Sequence, residues 1–374
     1  MVRHDGPPRF VKLQPARDGK WQERDTQVAR NALKVLLDPR TDPRLDLQAL
    51  HRQRLRPLET HLDGVKRLII LPSSAMAGIP IEAMTDRYLI SYAPSATIYA
   101  WLREKRAERP AGAADLLALG DPAFSAAPAK VAITTKDGLL AQLVRGENLK
   151  PLPGTRAEVE SIARLFQDRK SNVVKFLGVA ASGPSLDRLA TTRVLGRFRY
   201  LHLATHGFAD LDGGLNSYLA LTAEGSSATH AKLSAGQIMR TWKLDADLVT
   251  LSACQTALGE LRGGEGYVGF AQALLFAGTR SLVLTQWKVD DQATTLFMHR
   301  FYQNLLNGNG NASKSEALAE AGRWLRGLDK DEAVRRLKSI GVPVNPDWVQ
   351  AAEARPFEHP NYWSAFILIG DPGR

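Results

Sequence analysis

From residue 153 onward, short apolar runs closed by turn residues alternate with helix-length amphipathic stretches, an order that few folds accommodate. Strand signals fall at 173–177, 200–204, 248–251, 281–285 and 365–369, and helical ones at 155–166, 267–277, 292–307 and from Ser313 onward. The runs are apolar on both faces and too far apart for hairpins, so they predict a mainly parallel sheet covered by helices on both sides. Thr155-Arg156-Ala157-Glu158 has capping-box spacing, as do Ser313 and Glu316, and each pair predicts a helix start. The loss of periodicity between Pro122 and Pro153 marks a boundary, so that 151–374 forms one part and 51–150 a smaller N-terminal α/β part. The smaller part carries strand signals at 68–71 and 116–119, behind helical patterns around Val35 and Leu47 that Pro57 interrupts and restarts. Residues 1–50 supply an arm rich in Pro, Gly and charge, followed by a helix.

Charge and apolar length exclude several classes of function. The longest uncharged stretch, 88–102, is 15 residues and contains Pro94, short of the roughly 18 to 20 apolar residues a membrane-spanning helix needs. No apolar core follows the early charges, so no secretory signal is expected and the protein is read as cytoplasmic. The net charge is +10, with 15 Lys/Arg against 9 Asp/Glu in residues 1–67. Acidic residues interrupt the basic ones and no aromatic stacking pattern accompanies them, so this is read as a solvated surface and not as a nucleic-acid site.

The chain has one cysteine, Cys254, which excludes an internal disulfide and fits a reducing compartment. It follows directly on the strand signal Leu248-Val249-Thr250-Leu251, and His206-Gly207 follows on Tyr200-Leu201-His202-Leu203-Ala204. Ligands of open parallel sheets bind at the carboxyl ends of the strands, so the thiol and the imidazole are expected to emerge on one edge. An imidazole next to a thiol favours the thiolate and protonates a departing amine. Gly207 leaves its N–H open to a developing oxyanion, with the N–H of Cys254 as a second donor. His202 shares the parity of His206 but is expected to be a hydrogen-bonded core residue. Gly263-Gly264-Glu265-Gly266 lacks the Lys and Ser/Thr of a phosphate loop and is read as a flexible loop beside the site. His230, His299 and His359 show no metal-ligand spacing, so neither a metal nor any cofactor is expected.

Several segments in order resemble the CHAT-domain family: Leu201 to Phe208, Leu251 to Gly259, Arg262-Gly263-Gly264-Glu265-Gly266, Gln286-Trp287-Lys288-Val289-Asp290-Asp291, and His359-Pro360-Asn361-Tyr362-Trp363 through Pro372. Upstream, Ile79-Pro80-Ile81-Glu82-Ala83-Met84 and Leu152 to Glu158 are similar to it as well, so the resemblance runs from about residue 50 to the end. It implies a caspase-like three-layer α/β/α sandwich, a cysteine endopeptidase with a His206–Cys254 dyad, and a protein substrate, which a neighbouring gene would be a natural place to seek. The spacing of 48 residues from His206 to Cys254 agrees with a caspase-like order. Ser252 and Thr256 stand where caspases carry Gln and Gly, which argues against cleavage after Asp. Trp287-Lys288-Val289-Asp290 is similar to a separase segment that helps build an arginine pocket, so Asp290 or Asp291 is expected to bind a basic residue before the cut, one of the two also serving as a helix cap. Family members are often fused to tetratricopeptide repeats, of which none is visible in this sequence. A catalytically silent interaction module and an acyl transferase using the same dyad stay open as alternatives.

Overall fold

A computed structural model describes residues 1–2, 7–15, 20–72, 74–104, 115–124, 149–210, 214–223, 232–254, 266–307, 313–344, 346–351 and 353–373. Among these residues ten strands form one sheet: β1 (Arg67–Ile70), β2 (Leu89–Tyr92), β3 (Leu116–Pro122), β4 (Val173–Gly178), β5 (Tyr200–Phe208), β6 (Tyr218–Ala220), β7 (Lys232–Ser234), β8 (Leu248–Cys254), β9 (Ser281–Thr285) and β10 (Phe366–Gly370). The order along the main path is β1-β2-β10-β9-β8-β5-β3-β4, and β6 and β7 branch from the far end of β5. β9, β8, β5, β3 and β4 run parallel to one another, β1, β2 and β10 likewise, and the two blocks meet in the antiparallel pair of β9 and β10. Strands from before and after residue 150 thus share one sheet.

The helices are α1 (Glu23–Leu37), α2 (Arg44–Leu50), α3 (Arg56–Glu59), α4 (Ala96–Glu104), α5 (Pro153–Gln167), α6 (Gly183–Thr191), α7 (Ala235–Thr241), α8 (Gly266–Ala277), α9 (Asp291–Asn307), α10 (Lys314–Gly327), α11 (Lys330–Ser339) and α12 (Pro346–Ala351). Alternation along the strands divides their side chains between two cores. Tyr200, Ala204, Leu248, Val283 and Leu368 face α1, α2, α5, α9, α10 and α11. Leu201, Leu203, Val249, Leu251, Leu282 and Leu284 face α4, α6, α7 and α8. Each fully buried aliphatic side chain stabilises its layer by about 1.5–3 kcal/mol, which is why the two-faced apolar runs dictate a three-layer sandwich.

The capping box expected at Ser313 is formed, with its hydroxyl accepting from the N–H of Glu316 and the Glu316 carboxylate accepting from the N–H of Ser313. The one expected at Thr155 is not: α5 begins two residues earlier, at Pro153. Tertiary partners take both side chains instead. Thr155 Oγ1 accepts from the N–H of Asp121 at 2.7 Å, and Glu158 is buried against His202. Asp121 adopts φ 46°, an uncommon backbone for a residue with a side chain, and Arg156 Nε holds its carboxylate at 2.8 Å. A Cβ on the preceding Gly120 would come within 2.8 Å of the Thr155 carbonyl and of Val159, so only glycine lets α5 lie this close to β3.

Glu82, in the turn before β2, accepts from Tyr92 OH at 2.6 Å through one oxygen, and its other oxygen is buried with no hydrogen-bond partner among the described residues. Burial raises its pKa from the ordinary 4.5 to about 7. A raised carboxyl pKa favours the folded chain at low pH and loses that contribution as pH rises through the folded value. Stability is therefore expected to decline between pH 4.5 and about 7, and Glu82→Gln should flatten that decline in urea melts across the window. A slope unchanged by the substitution would remove Glu82 as its source.

Candidate active site

The edge at the carboxyl ends of β3, β5, β8 and β9 gathers the chemically capable residues. β5 and β8 are neighbours in parallel register, with His202 opposite Thr250, Ala204 opposite Ser252 and His206 opposite Cys254. Both strands are apolar in their interior and reach their polar residues at the same level, so the register that buries Leu201, Leu203, Val249 and Leu251 also brings His206 alongside Cys254. Gln255 to Gly259, Arg262 and the Gly263-Gly264-Glu265 run lie outside the described residues, as does His230.

His206 is half-buried, and its Nε2 lies 2.9 Å from the carbonyl oxygen of Lys150. A carbonyl only accepts, so Nε2 carries the hydrogen, and in the neutral ring Nδ1 is the acceptor. Lys150 is brought there by the chain entering α5, whose first turn Thr155 and Arg156 lash to the end of β3. The ring of Phe124 lies 5.4 Å from the imidazole between centroids, and that of Phe208 lies 6.5 Å away. Gly207 follows in β5, paired with Leu219 of β6. Thr205 Oγ1 donates to the Ala220 carbonyl at 2.5 Å and ties the same strand end to β6.

The acidic pair divides its work. Asp290 Oδ1 accepts from the N–H groups of Gln292 at 2.9 Å and Ala293 at 3.0 Å, the geometry of a cap on α9. Asp291, first residue of α9, is exposed, and its carboxylate makes no hydrogen bond or ion pair among the described residues. It packs against the entry of α5, where a Cβ on Gly154 would come within 2.9 Å of Asp291 Cβ and 3.1 Å of Oδ2. The protein around Asp291 raises its pKa, the charges of Asp290 and Glu158 adding to this and those of Lys288 and His206 opposing it.

His202 is fully buried, as expected of a core histidine. Its Nε2 lies 3.0 Å from Glu158 Oε1, and its Nδ1 lies 3.3 Å from Tyr302 OH, which lies 2.8 Å from Thr250 Oγ1. Lys150 contributes its backbone carbonyl to the site, and Phe124 follows β3 in a stretch without periodicity, so neither carried a signal in the sequence.

A family model described as the CHAT domain matches residues 44–371. The chain belongs to the CHAT-domain family. The CHAT domain here is a mainly parallel sheet between two helical layers. Tetratricopeptide repeat protein 28 of Mus musculus is 31% identical over 129 residues, which make up 34% of this chain and 4% of that protein. Its Homo sapiens counterpart is 29% identical over 128 residues, so the chain spans 4% of the length of either relative. Among solved structures, the Arg-specific cysteine proteinase gingipain R aligns with a TM-score of 0.47 and 10% identity, covering 92% of this chain and 73% of its own. The Saccharomyces cerevisiae separase–securin complex aligns with a TM-score of 0.45 and 13% identity over 96% of this chain and 21% of its own. No helix among the described residues is long and apolar enough to cross a membrane.

Proposed function

We propose that this CHAT domain is a cysteine endopeptidase that cuts a protein substrate through Cys254 and His206. The observation that carries the reading is the pairing of these two residues, register partners at the carboxyl ends of adjacent parallel strands. In the proposed cycle the thiol proton passes to Nδ1 of His206 and the thiolate adds to the scissile carbonyl. The N–H groups of Gly207 and Cys254 hold the oxyanion. The imidazolium then gives its proton to the departing amine, leaving a thioester that water, deprotonated by the same imidazole, hydrolyses. The hydrogen bond from Nε2 to the Lys150 carbonyl supports this, because it holds the ring and keeps Nδ1 available.

The residue before the cut is proposed to be Arg or Lys, read by Asp291. Asp290 is occupied by two backbone N–H groups, whereas the carboxylate of Asp291 is uncommitted. A charge-assisted contact contributes about 1.5–3 kcal/mol, or roughly tenfold to a hundredfold in preference. The test is cleavage of a proteome-derived peptide library, read by mass spectrometry, with coexpressed products of neighbouring genes as candidate protein substrates. The wild-type chain is expected to cut after basic residues and Cys254→Ala to cut nothing. Asp291→Asn should lose the basic preference by at least about tenfold. Asp290→Ala should keep it while losing about 1 kcal/mol of stability with the cap. Cleavage retained by Cys254→Ala would overturn the dyad, and a basic preference untouched by Asp291→Asn would remove that carboxylate from the pocket.

A further inference from the structure

We infer that the aromatic row flanking His206 seats the side chain that follows the scissile bond and selects an apolar or aromatic residue there, an inference that rests on the peptidase reading above. His206 and Phe208 are two residues apart on β5 and share a face. β6 returns antiparallel with Tyr218 opposite Phe208, and the two rings stack at 4.8 Å and 19°. Lys232 Nζ lies 4.4 Å from the Tyr218 ring centre and closes the row with a positive charge. On the other flank is Phe124, which follows β3, the neighbour of β5 on the side away from Cys254.

Phe124, Phe208 and Tyr218 are each only half-buried, and the first two flank the imidazole directly. The role of His206 decides which substrate residue meets them. The imidazole must come within roughly 3 Å of the departing nitrogen to protonate it. The Cα that carries this nitrogen is one bond further on, so its side chain projects over rings centred 5.4 and 6.5 Å from the imidazole. The residue before the cut lies on the carbonyl side, with Asp291. Lys232 disfavours a second basic residue on the row and leaves apolar, and above all aromatic, side chains as its natural occupants.

The test uses peptides in which the residue before the cut is held at the one the library selects and the next residue is Phe, Leu, Ala, Asp or Lys. Wild type is expected to favour Phe and Leu over Ala by about tenfold in kcat/KM, with Lys last. Phe208→Ala and Phe124→Ala should each compress that ranking toward equality, and Phe208→Leu should keep most of it. Alkylation of Cys254 by iodoacetamide should be the same in all of them, since the dyad is untouched. A ranking that survives both alanine variants, or a flat ranking in a wild-type chain that does cleave, overturns the aromatic seat alone. A wild-type chain that cleaves none of the peptides overturns the peptidase reading, and the seat falls with it.

Discussion

Iodoacetamide at pH 6 is expected to alkylate Cys254 about tenfold faster in the wild-type chain than in His206→Ala. An isolated thiol has a pKa of about 8.5 and is therefore only about 0.3% thiolate at pH 6. Pairing with an imidazolium raises that fraction by up to a few hundredfold, and the accompanying fall in nucleophilicity gives back much of the gain, leaving about one order of magnitude. Cys254 is the only cysteine in the chain, so intact mass reads this site alone. The advantage should vanish above pH 9, where both thiols are ionised. In cleavage, His206→Ala should lose roughly a hundredfold to ten-thousandfold as the general acid is removed. Equal alkylation rates in the two proteins at pH 6 would show that imidazole and thiol do not act together, and the peptidase reading would lose its support.

The second large effect is expected from Glu158→Ala, which should destabilise the chain by about 3–5 kcal/mol in urea unfolding. Glu158 and His202 are both buried, away from bulk solvent. Removing the carboxylate leaves His202 Nε2 facing a cavity, in a cluster whose other members, Tyr302 and Thr250, are fully or almost fully enclosed. Burial pushes the Tyr302 hydroxyl up in pKa, so it stays a neutral donor. Glu158→Gln keeps an acceptor of the same shape and should cost less than half as much. Replacing the pair together by Leu and Phe should come closer to wild-type stability than Glu158→Ala, because no orphaned polar group remains. A Glu158→Ala chain that unfolds within 1 kcal/mol of wild type would mean the contact contributes little. Because Glu158 lies on the helix whose entry supplies the Lys150 carbonyl, the alkylation advantage of Cys254 is also expected to shrink in this variant.

The candidate site was legible in the sequence to the extent that its residues act by side chain and stand at strand ends. His206, Gly207 and Cys254 were found because apolar runs locate strands and the residues after them locate an edge. Asp290 and Asp291 were legible as a pair but not as individuals, since either one satisfies a helix cap. The tertiary structure assigns the cap to Asp290, whose carboxylate reaches the N–H groups two and three residues on. Thr155 and Glu158 mark the opposite case: their spacing spells a capping box, yet Thr155 accepts from the N–H of Asp121 and Glu158 is buried against His202. Local spacing predicts a cap only when no buried partner competes for the same side chain.

From its sequence alone this chain is bound to be a layered α/β sandwich, because runs apolar on both faces must be covered on both sides and their separation demands crossover helices. The same information determines which residues end the strands, and so which chemistry is available. It does not determine strand order, since any parallel order buries these runs equally well. Only the tertiary structure makes β5 and β8 neighbours in the register that pairs His206 with Cys254, turns β10 antiparallel against β9, and brings a backbone carbonyl from the entry of α5 to the imidazole. Those outcomes depend on contacts between segments far apart in the chain, whose energies come from shape and hydrogen bonding across layers and leave no periodic trace in the sequence.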